Sequence, residues 1–229
     1  MEDISGFKII RDRDIVKSLE DIWSEEKTFI LLPEKIGVGD EWLREQLEVV
    51  PDSYSRNRFG LLTSGSTGEP KIVLGVKERA EDLVRVLHRV QDSERVMNTI
   101  VVLPLSYSFA FVNQWLWARV MDRRLIQTDG LKKPEILATE LEKHDKSMIC
   151  LVGAQVPMII NYFGERTFPR VIRIHFAGGP FPQGHMERLI SIFPNAQIFN
   201  NFGCAEAMPR LTVRKAEIGG NGNNVGAPL

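Results

Sequence analysis

The sequence LLTSGSTGEPK at residues 61–71 decides how this chain is expected to fold, because it concentrates small polar residues between two apolar segments. FGLLTS at its start and KIVLGV at its end are typical of buried strands. The stretch is therefore predicted to be a loop that joins two strands. Two interpretations are open at this point: a Ser/Gly hairpin loop without a ligand, and a loop that binds phosphate.

Phosphate binding requires many short-range donors and little side-chain bulk. Ser and Thr hydroxyls donate hydrogen bonds, glycine lets successive N–H groups converge on one anion, and lysine adds a compact positive charge. The run supplies all three in Thr63, Ser64, Gly65, Ser66, Thr67, Gly68 and Lys71. The spacing is not that of a Walker loop, because Glu69 and Pro70 precede the lysine and the loop is predicted to enter a strand. A P-loop kinase or ATPase is therefore not supported.

The composition predicts a soluble globular protein. The chain has 229 residues, of which 43% are hydrophobic and 26% charged, with a net charge of −1. That balance gives no strong attraction to nucleic acid or to an anionic membrane. The longest apolar stretch, residues 148–163, is too short to span a bilayer. Two cysteines and an N-terminus without an apolar signal core favour a cytoplasmic location.

Segments typical of strands alternate with segments typical of helices over most of the chain. This order predicts an α/β fold with a mostly parallel sheet flanked by helices. Ligands in such folds bind beyond the carboxyl ends of strands, where residues 63–71, 177–182 and 200–206 carry unusual loop sequences. Asp40 is predicted to cap one helix. A second helix is predicted to bury Leu83, Val86, Leu87 and Val90, and SYSFAF to form an aromatic turn.

The order T-S-G-S-T-G-x-P-K is more specific than its composition. It resembles the signature of the adenylate-forming (AMP-binding) enzyme superfamily, and most of all its acyl-CoA synthetase type. Further segments resemble later motifs of that superfamily in the same order: LPLSYSFAF (103–111), LVGAQVPMI (151–159), FAGGPFP (176–182), NNFGCAEA (200–207) and NNVGAPL (223–229). The resemblance covers the chain from about residue 59 to residue 229.

The resemblance implies a reaction and its cofactors. Members of the superfamily use ATP to convert a carboxylic acid into an acyl-AMP with release of pyrophosphate, and most then pass the acyl group to a thiol. The expected cofactors are ATP and Mg²⁺, with CoA or a carrier-protein thiol as acceptor and a small carboxylic acid as substrate. No protein nucleophile is required, in line with a sequence that has no evident Ser-His-Asp or Cys-His arrangement.

The resemblance also implies roles for individual residues. Lys71 and Glu206 would be catalytic, with Glu206 holding Mg²⁺, and Thr63 to Gly68 with Lys71 would bind the ATP phosphates. The residues expected along the adenine are Gly178, Gly179, Pro180, Asn201, Phe202 and Gly203. Those expected to border the acyl pocket are Tyr107, Phe109, Val152, Gly153 and Ala154. The alternatives are a tight strand-to-helix turn for the glycines and core packing beside Trp115 and Trp117 for the aromatic residues.

Two departures from the superfamily pattern qualify this expectation. Ala205 stands where a Thr usually precedes the metal-binding Glu, and the family's ribose-binding Asp motif and small C-terminal lysine domain do not occur in the sequence. We therefore expect residues 1–229 to form a single, incomplete AMP-binding domain, with a short N-terminal α/β segment at 1–58 and the motif-bearing core at 59–229. A separate C-terminal-domain polypeptide would complete a split enzyme. The alternative is a catalytically degenerate nucleotide- or partner-binding domain.

Overall fold

A computed structural model describes residues 2–11, 15–33, 39–63, 70–208 and 210–229. The strands are, in chain order, β1 Glu2–Ile4, β2 Phe7–Arg11, β3 Phe29–Leu32, β4 Arg58–Thr63, β5 Lys71–Val76, β6 Asn98–Ile100, β7 Arg124–Ile126, β8 Ser147–Leu151, β9 Val171–Phe176, β10 Gln197–Phe202, β11 Thr212–Lys215 and β12 Ala227–Pro228. The helices are α1 Ile15–Trp23, α2 Asp40–Glu48, α3 Lys77–Val90, α4 Ser108–Ala110, α5 Trp117–Val120, α6 Pro134–Lys143, α7 Val156–Phe163 and α8 Met186–Ile192. None of the described helices is long and apolar enough to cross a membrane.

The first of two sheets has the order β1-β2-β3-β4-β5. Strands β2, β3 and β4 are parallel, whereas β1 pairs with β2 and β5 pairs with β4 in antiparallel fashion. The β4–β5 pair runs in register from Arg58 opposite Val76 to Thr63 opposite Lys71. The strand–loop–strand arrangement predicted around residues 61–71 is therefore confirmed.

The second sheet has the order β12-β11-β10-β9-β8-β6-β7. Its five strands from β10 to β7 are parallel, and β11 and β12 add two antiparallel strands at one edge. Parallel strands need helical crossovers, which α6, α7 and α8 provide. The predicted α/β fold with mostly parallel pairing is confirmed, and the carboxyl ends of β6, β8, β9 and β10 lie at one edge of the sheet.

A single apolar cluster joins the two sheets. It combines Phe59 and Leu61 of β4 with Met148 and Cys150 of β8, and it includes the buried helices α3 and α5. Between α4 and α5 the chain forms a π-helix over Phe111–Leu116, so that one continuous helical segment runs from residue 108 to residue 120. The prediction of an aromatic turn at SYSFAF (106–111) is therefore wrong for residues 108–111, which are already helical. The large rings there are buried, and helical backbone satisfies its own hydrogen bonds.

Of two local predictions about helices, the cap of α2 is wrong and the buried face of α3 is confirmed only in part, at Leu87 and at the half-buried Leu83. Helix α2 has Gly39 at its N-cap, and Asp40 is its first residue, with its carboxylate in an ion pair with Arg11. Helix α3 buries Ala80, Val84 and Leu87 together with the polar Lys77 and His88, whereas Val90 is exposed. The buried face is rotated from the predicted one because both polar side chains find partners inside the protein.

Lys77 connects two of the helices that pack near the first sheet, α1 and α3. Its ammonium donates hydrogen bonds to the carbonyl oxygens of Ile22, Trp23, Glu25 and Lys27, at distances of 2.6–3.3 Å. These carbonyls lie at and beyond the end of α1, where backbone acceptors have no helical partner. The ammonium also lies 5.7 Å from the centroid of the Trp23 ring. Lys77 therefore anchors the start of α3 on the end of α1.

We predict that Lys77→Met lowers the free energy of unfolding by about 1.5–3 kcal/mol, the usual contribution of hydrogen bonds to a charged group. Burial lowers the pKa of Lys77 to about 8 from 10.5. Between these two values the unfolded chain holds a proton that the folded chain has lost, so the stability of the wild type relative to the variant should rise with pH over that range.

Urea denaturation from pH 7 to pH 10.5 measures both effects. Arg79→Met is the matched control, because Arg79 lies two residues along the same helix and is exposed; its effect should stay within about 0.5 kcal/mol. A wild-type advantage over Lys77→Met that shrinks as the pH rises above 8 contradicts the prediction.

Candidate active site

The predicted phosphate-binding loop lies at the end of the β4–β5 hairpin. Thr63 ends β4 and Lys71 begins β5, and the two residues are paired across the hairpin. The Lys71 side chain is exposed, and the Thr63 hydroxyl is buried without a hydrogen-bond partner in the described part of the chain. Ser64, Gly65, Ser66, Thr67 and Gly68 lie outside the described residues. At the two ends of the loop the Lys71 side chain is thus exposed, and the Thr63 hydroxyl has no partner in the part of the chain that the structure describes.

The predicted adenine-binding residues lie around one cavity. The chain turns sharply after β9 through Gly178 (φ 72°) and Gly179 (φ 135°), backbone conformations that residues with a Cβ rarely adopt. A cavity of about 360 Å³ separates this turn from the end of β10. All six predicted residues line it, together with Phe181, Asn200, Gly222, Asn223 and Val225. Half of the Phe202 surface is exposed, which leaves its ring available for stacking.

Three of the additional lining residues come from the Gly- and Asn-rich tail, which the sequence analysis gave no role. The tail folds back because β11 pairs with both β10 and β12. Gly226 (φ 95°) permits this return, since a Cβ there would lie 2.3 Å from the Val213 carbonyl oxygen. Its N–H group donates to the Asn224 side chain. The NNVGAPL segment and the glycine and asparagine content were the sequence signals for this part of the cavity wall.

Asn201 lines the cavity while its side chain is turned into the protein. The side chain is 2% exposed, accepts a hydrogen bond from Gln91 and donates one to the Phe176 carbonyl oxygen, both at 3.0 Å. Phe176 is the last residue of β9, immediately before the glycine turn. Asn201 therefore ties the end of β10 to the turn and to the end of α3 through one acceptor and one donor of its amide.

The predicted acyl-pocket residues fall into two groups. Val152–Ala154 follow β8 and pack on the glycine turn: a Cβ on Gly153 would lie 2.4 Å from the Pro180 carbonyl oxygen. Tyr107 and Phe109 lie at the start of the buried helical segment, with Tyr107 half exposed and Phe109 buried. The neighbouring segments meet at a second cavity of about 460 Å³, where residues 101–105 face Gln155 and Met158.

Glu206 lies in a single 3₁₀ turn, Ala205–Ala207, that follows β10. The turn ends at Met208 (φ 61°), whose side chain packs over Gly75 of β5; a Cβ on Gly75 would lie 2.6 Å from Met208 Cε. The Glu206 carboxylate is exposed, and it forms no ion pair within the described ranges. Among those residues no group of three or more His, Cys, Asp or Glu side chains surrounds a metal position. A single free carboxylate suits Mg²⁺, which takes one or two carboxylates and completes its shell with phosphate and water oxygens.

The structure also places a cysteine beside a histidine, an arrangement that the sequence analysis did not identify. Cys150 of β8 and His175 of β9 are paired neighbours. Burial raises the pKa of Cys150 to about 12, and burial together with the nearby guanidinium groups of Arg210 and Arg173 lowers the pKa of His175 well below its usual value. Both side chains are neutral at pH 7, so they do not form a nucleophilic thiolate–imidazolium pair.

Comparisons with known proteins identify the family. The family model described as "AMP-binding enzyme" matches residues 10–229. The chain belongs to the AMP-binding enzyme family.

Curated relatives include D-alanine–D-alanyl carrier protein ligases of Bacillus. The protein from Bacillus cereus (strain G9842) is 26% identical over 208 residues, which are 85% of this chain and 36% of the relative. The protein from Bacillus velezensis is 26% identical over 167 residues, covering 66% of this chain and 31% of the relative. The chain thus spans about a third of the length of the curated relatives that it matches.

Solved structures of this fold agree with the assignment. VinN has a TM-score of 0.76 at 15% identity, covering 99% of this chain and 69% of VinN. The o-succinylbenzoate CoA synthetase MenE of Bacillus subtilis, in complex with ATP and magnesium, has a TM-score of 0.74 at 14% identity and covers 97% of this chain and 55% of MenE. At these identities the likeness establishes the fold.

The contact between Gly153 and Pro180 gives a test of whether the cavity lined by residues 178–181 binds a nucleotide. We predict that Gly153→Ala lowers the free energy of unfolding by about 1–3 kcal/mol, because the new methyl group meets a backbone oxygen that cannot rotate away. The displaced Pro180 turn should also weaken binding of a non-hydrolysable ATP analogue, measured by calorimetry. Gly184→Ala is the matched control, since nothing lies within 4 Å of its Cβ position. Equal analogue binding by the two variants contradicts the prediction.

Proposed function

We propose that this chain carries the nucleotide- and acid-binding part of an enzyme that activates a carboxylic acid as an acyl-AMP at the expense of ATP. The observation that carries this proposal is the placement of the six predicted adenine-binding residues around one cavity in a chain of the AMP-binding family. The carboxylate oxygen of the acid would attack the α-phosphorus of ATP. The bond from that phosphorus to the bridging oxygen breaks, and pyrophosphate leaves with the electron pair.

The chain's own residues would act by position and charge. The Lys71 ammonium and the hydroxyl and amide groups of Thr63 to Gly68 would hold the β- and γ-phosphates, and Gly178, Gly179 and Phe202 would hold the adenine. The exposed Glu206 carboxylate would bind Mg²⁺, which offsets the charge that develops on the phosphate oxygens. The packing of Met208 on Gly75 supports this assignment, because it fixes the Glu206 turn to the strand that begins with Lys71.

A thiol would then accept the acyl group. The curated relatives are named as carrier protein ligases, which favours a carrier-protein thiol, and CoA is the alternative acceptor. We propose that this transfer requires a lysine-bearing domain outside residues 1–229, in a further segment or in a separate partner polypeptide. We place the activity in the cytoplasm.

Acid-dependent exchange of pyrophosphate into ATP tests the activation step. Where the chain alone is inactive, a polypeptide that contains the lysine-bearing domain is added. Lys71→Met and Glu206→Gln should each lower the exchange rate by about 10²-fold or more, the usual cost of removing one group that stabilises transition-state charge. The matched controls are Lys17→Met and Glu48→Gln, which change exposed residues on α1 and α2. The proposal is contradicted if both site variants keep the wild-type exchange rate. It is also contradicted if no acid in a broad panel supports exchange by the wild type.

The second candidate function is a degenerate domain that binds nucleotide without turning it over, and Ala205 is the observation that favours it. Ala205 borders a cavity of about 10 Å³, which is about the room of one water molecule, together with Ser108 and Val112. Under the proposed activation, Ala205→Thr should raise the exchange rate about tenfold by adding a hydrogen bond to a charged group. Ala207→Thr in the same turn is the control. Tight binding of an acyl-AMP analogue without exchange in either the wild type or Ala205→Thr would establish the degenerate domain.

A further inference from the structure

Gln91 is a buried amide that belongs to none of the sequence motifs. It directly follows α3 and is 3% exposed. Its Nε2 group donates a hydrogen bond to Asn201 Oδ1 at 3.0 Å, across 110 residues of sequence. Asn201 Nδ2 donates in turn to the Phe176 carbonyl oxygen, also at 3.0 Å. Two hydrogen bonds in series therefore connect the end of α3 to the last residue of β9.

The Phe176 carbonyl group fixes the direction of both hydrogen bonds. A carbonyl oxygen can only accept, so the amide nitrogen of Asn201 has to face it. The amide oxygen of Asn201 then faces Gln91 and requires a donor there. Glutamine supplies this donor, whereas an apolar side chain of the same length would leave a buried acceptor unpaired. The connection therefore depends on the chemistry of residue 91 and not only on its size.

The two hydrogen bonds join opposite walls of the cavity beside the glycine turn. Residues 178–181, after β9, form one wall, and residues 200–203, at the end of β10, form the other. The pairing of β9 with β10 ends at Phe176 opposite Asn200, so both walls extend beyond the paired strands. Asn201 lies in the second wall, and Phe176 lies two residues before the first one. The separation of the walls therefore depends on side-chain hydrogen bonds as well as on the sheet.

The end of α3 is a firm support for these hydrogen bonds. The His88 ring accepts a hydrogen bond from Trp117 Nε1 at 3.3 Å, and its other nitrogen lies 2.7 Å from the Glu94 carboxylate. Arg173 of β9 donates to the carbonyl oxygen of the residue that follows Gln91. The backbone on both sides of Gln91 is thus attached to neighbouring elements. Supporting residues held in this way can keep a binding site close to its productive geometry.

We propose that Gln91 is a positioning residue of the nucleotide site: acting through Asn201, it holds the two walls of the cavity at the separation that adenine requires. The inference rests on the proposed function, because it takes this cavity as the adenine site. Gln91 acts from the end of α3, whereas Lys71 and Glu206 lie on other segments. Its loss should therefore weaken nucleotide binding and leave those two side chains unchanged.

Calorimetry with Mg²⁺ and the non-hydrolysable ATP analogue AMP-PNP tests the proposal on the full chain. Gln91→Met keeps the length of the side chain and removes the donor, so it should raise the Kd about tenfold, the effect of one unpaired buried acceptor. Gln114→Met is the matched control, because Gln114 is a buried glutamine whose Nε2 group donates to Thr99 and to the Ile100 carbonyl oxygen. Urea denaturation should show a loss of stability in both variants, but only Gln91→Met should lose nucleotide affinity.

Gln91→Glu separates the hydrogen bond from packing and decides the matter where the Met variant does not fold. An ionised carboxylate cannot donate to Asn201, whereas a protonated carboxyl group can. Burial raises the pKa of a carboxyl group, so protonation falls within an accessible range. The Kd of Gln91→Glu relative to that of the wild type should therefore fall towards one as the pH is lowered from about 8.5 to about 5.5, with no such recovery in Gln91→Met.

The proposal is overturned if Gln91→Met binds AMP-PNP as tightly as the wild type. It is also overturned if Gln114→Met loses as much affinity as Gln91→Met, or if the relative Kd of Gln91→Glu does not change with pH. A wild type without measurable affinity for AMP-PNP refutes the proposed function and this inference with it, whereas equal binding by the wild type and Gln91→Met refutes this inference alone.

Discussion

The packing of Met208 on Gly75 is the contact on which the arrangement of the site depends. Gly75 belongs to the first sheet, and Met208 follows the last parallel strand of the second sheet. Any side chain at residue 75 would occupy the space of the methionine sulfur and methyl group. The missing Cβ therefore lets the two sheets approach, and it sets the Glu206 turn beside the strand that begins with Lys71. The carboxylate and the ammonium come from segments 135 residues apart, and this one contact brings their segments together.

A second close approach joins the two halves of the candidate pocket. Gly153 follows β8, Pro180 follows β9, and the backbone of one lies against the backbone of the other. Neighbouring parallel strands end at the same edge of the sheet, so the loops that follow them compete for the same space. Glycine at residue 153 lets the two loops pack together, because it has no Cβ that would clash with the Pro180 carbonyl oxygen. A change in either loop is consequently expected to affect both the cavity beside the glycine turn and the segment after β8.

The sequence predicted secondary structure correctly where a hydrophobic pattern reflected only the burial of apolar side chains. The apolar runs on both sides of residues 61–71 predicted the β4–β5 hairpin, and the spacing of strands and helices predicted the parallel sheet. The buried face of α3 was predicted only in part, because hydrophobic periodicity treats Lys77 as a surface residue, whereas four backbone carbonyls accept hydrogen bonds from its buried ammonium. The short strands β11 and β12 have too few residues to show alternation, so the return of the tail to the adenine cavity depended on pairing that only the folded chain reveals.

Two buried cations, Lys77 and Arg210, differ in the number of hydrogen-bond acceptors around them. Lys77 lies among backbone acceptors that point at its ammonium from the end of α1, and its role is complete within the fold. Arg210 lies between sheet strands and a buried helix, and among the described residues one of its terminal nitrogens has a hydrogen-bond partner, the Asn113 side chain. A purely structural cation is expected to acquire acceptors, because unpaired buried donors destabilise the native state. The contrast between the two residues therefore assigns Lys77 to stability, whereas Nε and one terminal nitrogen of Arg210 have no partner among the described residues.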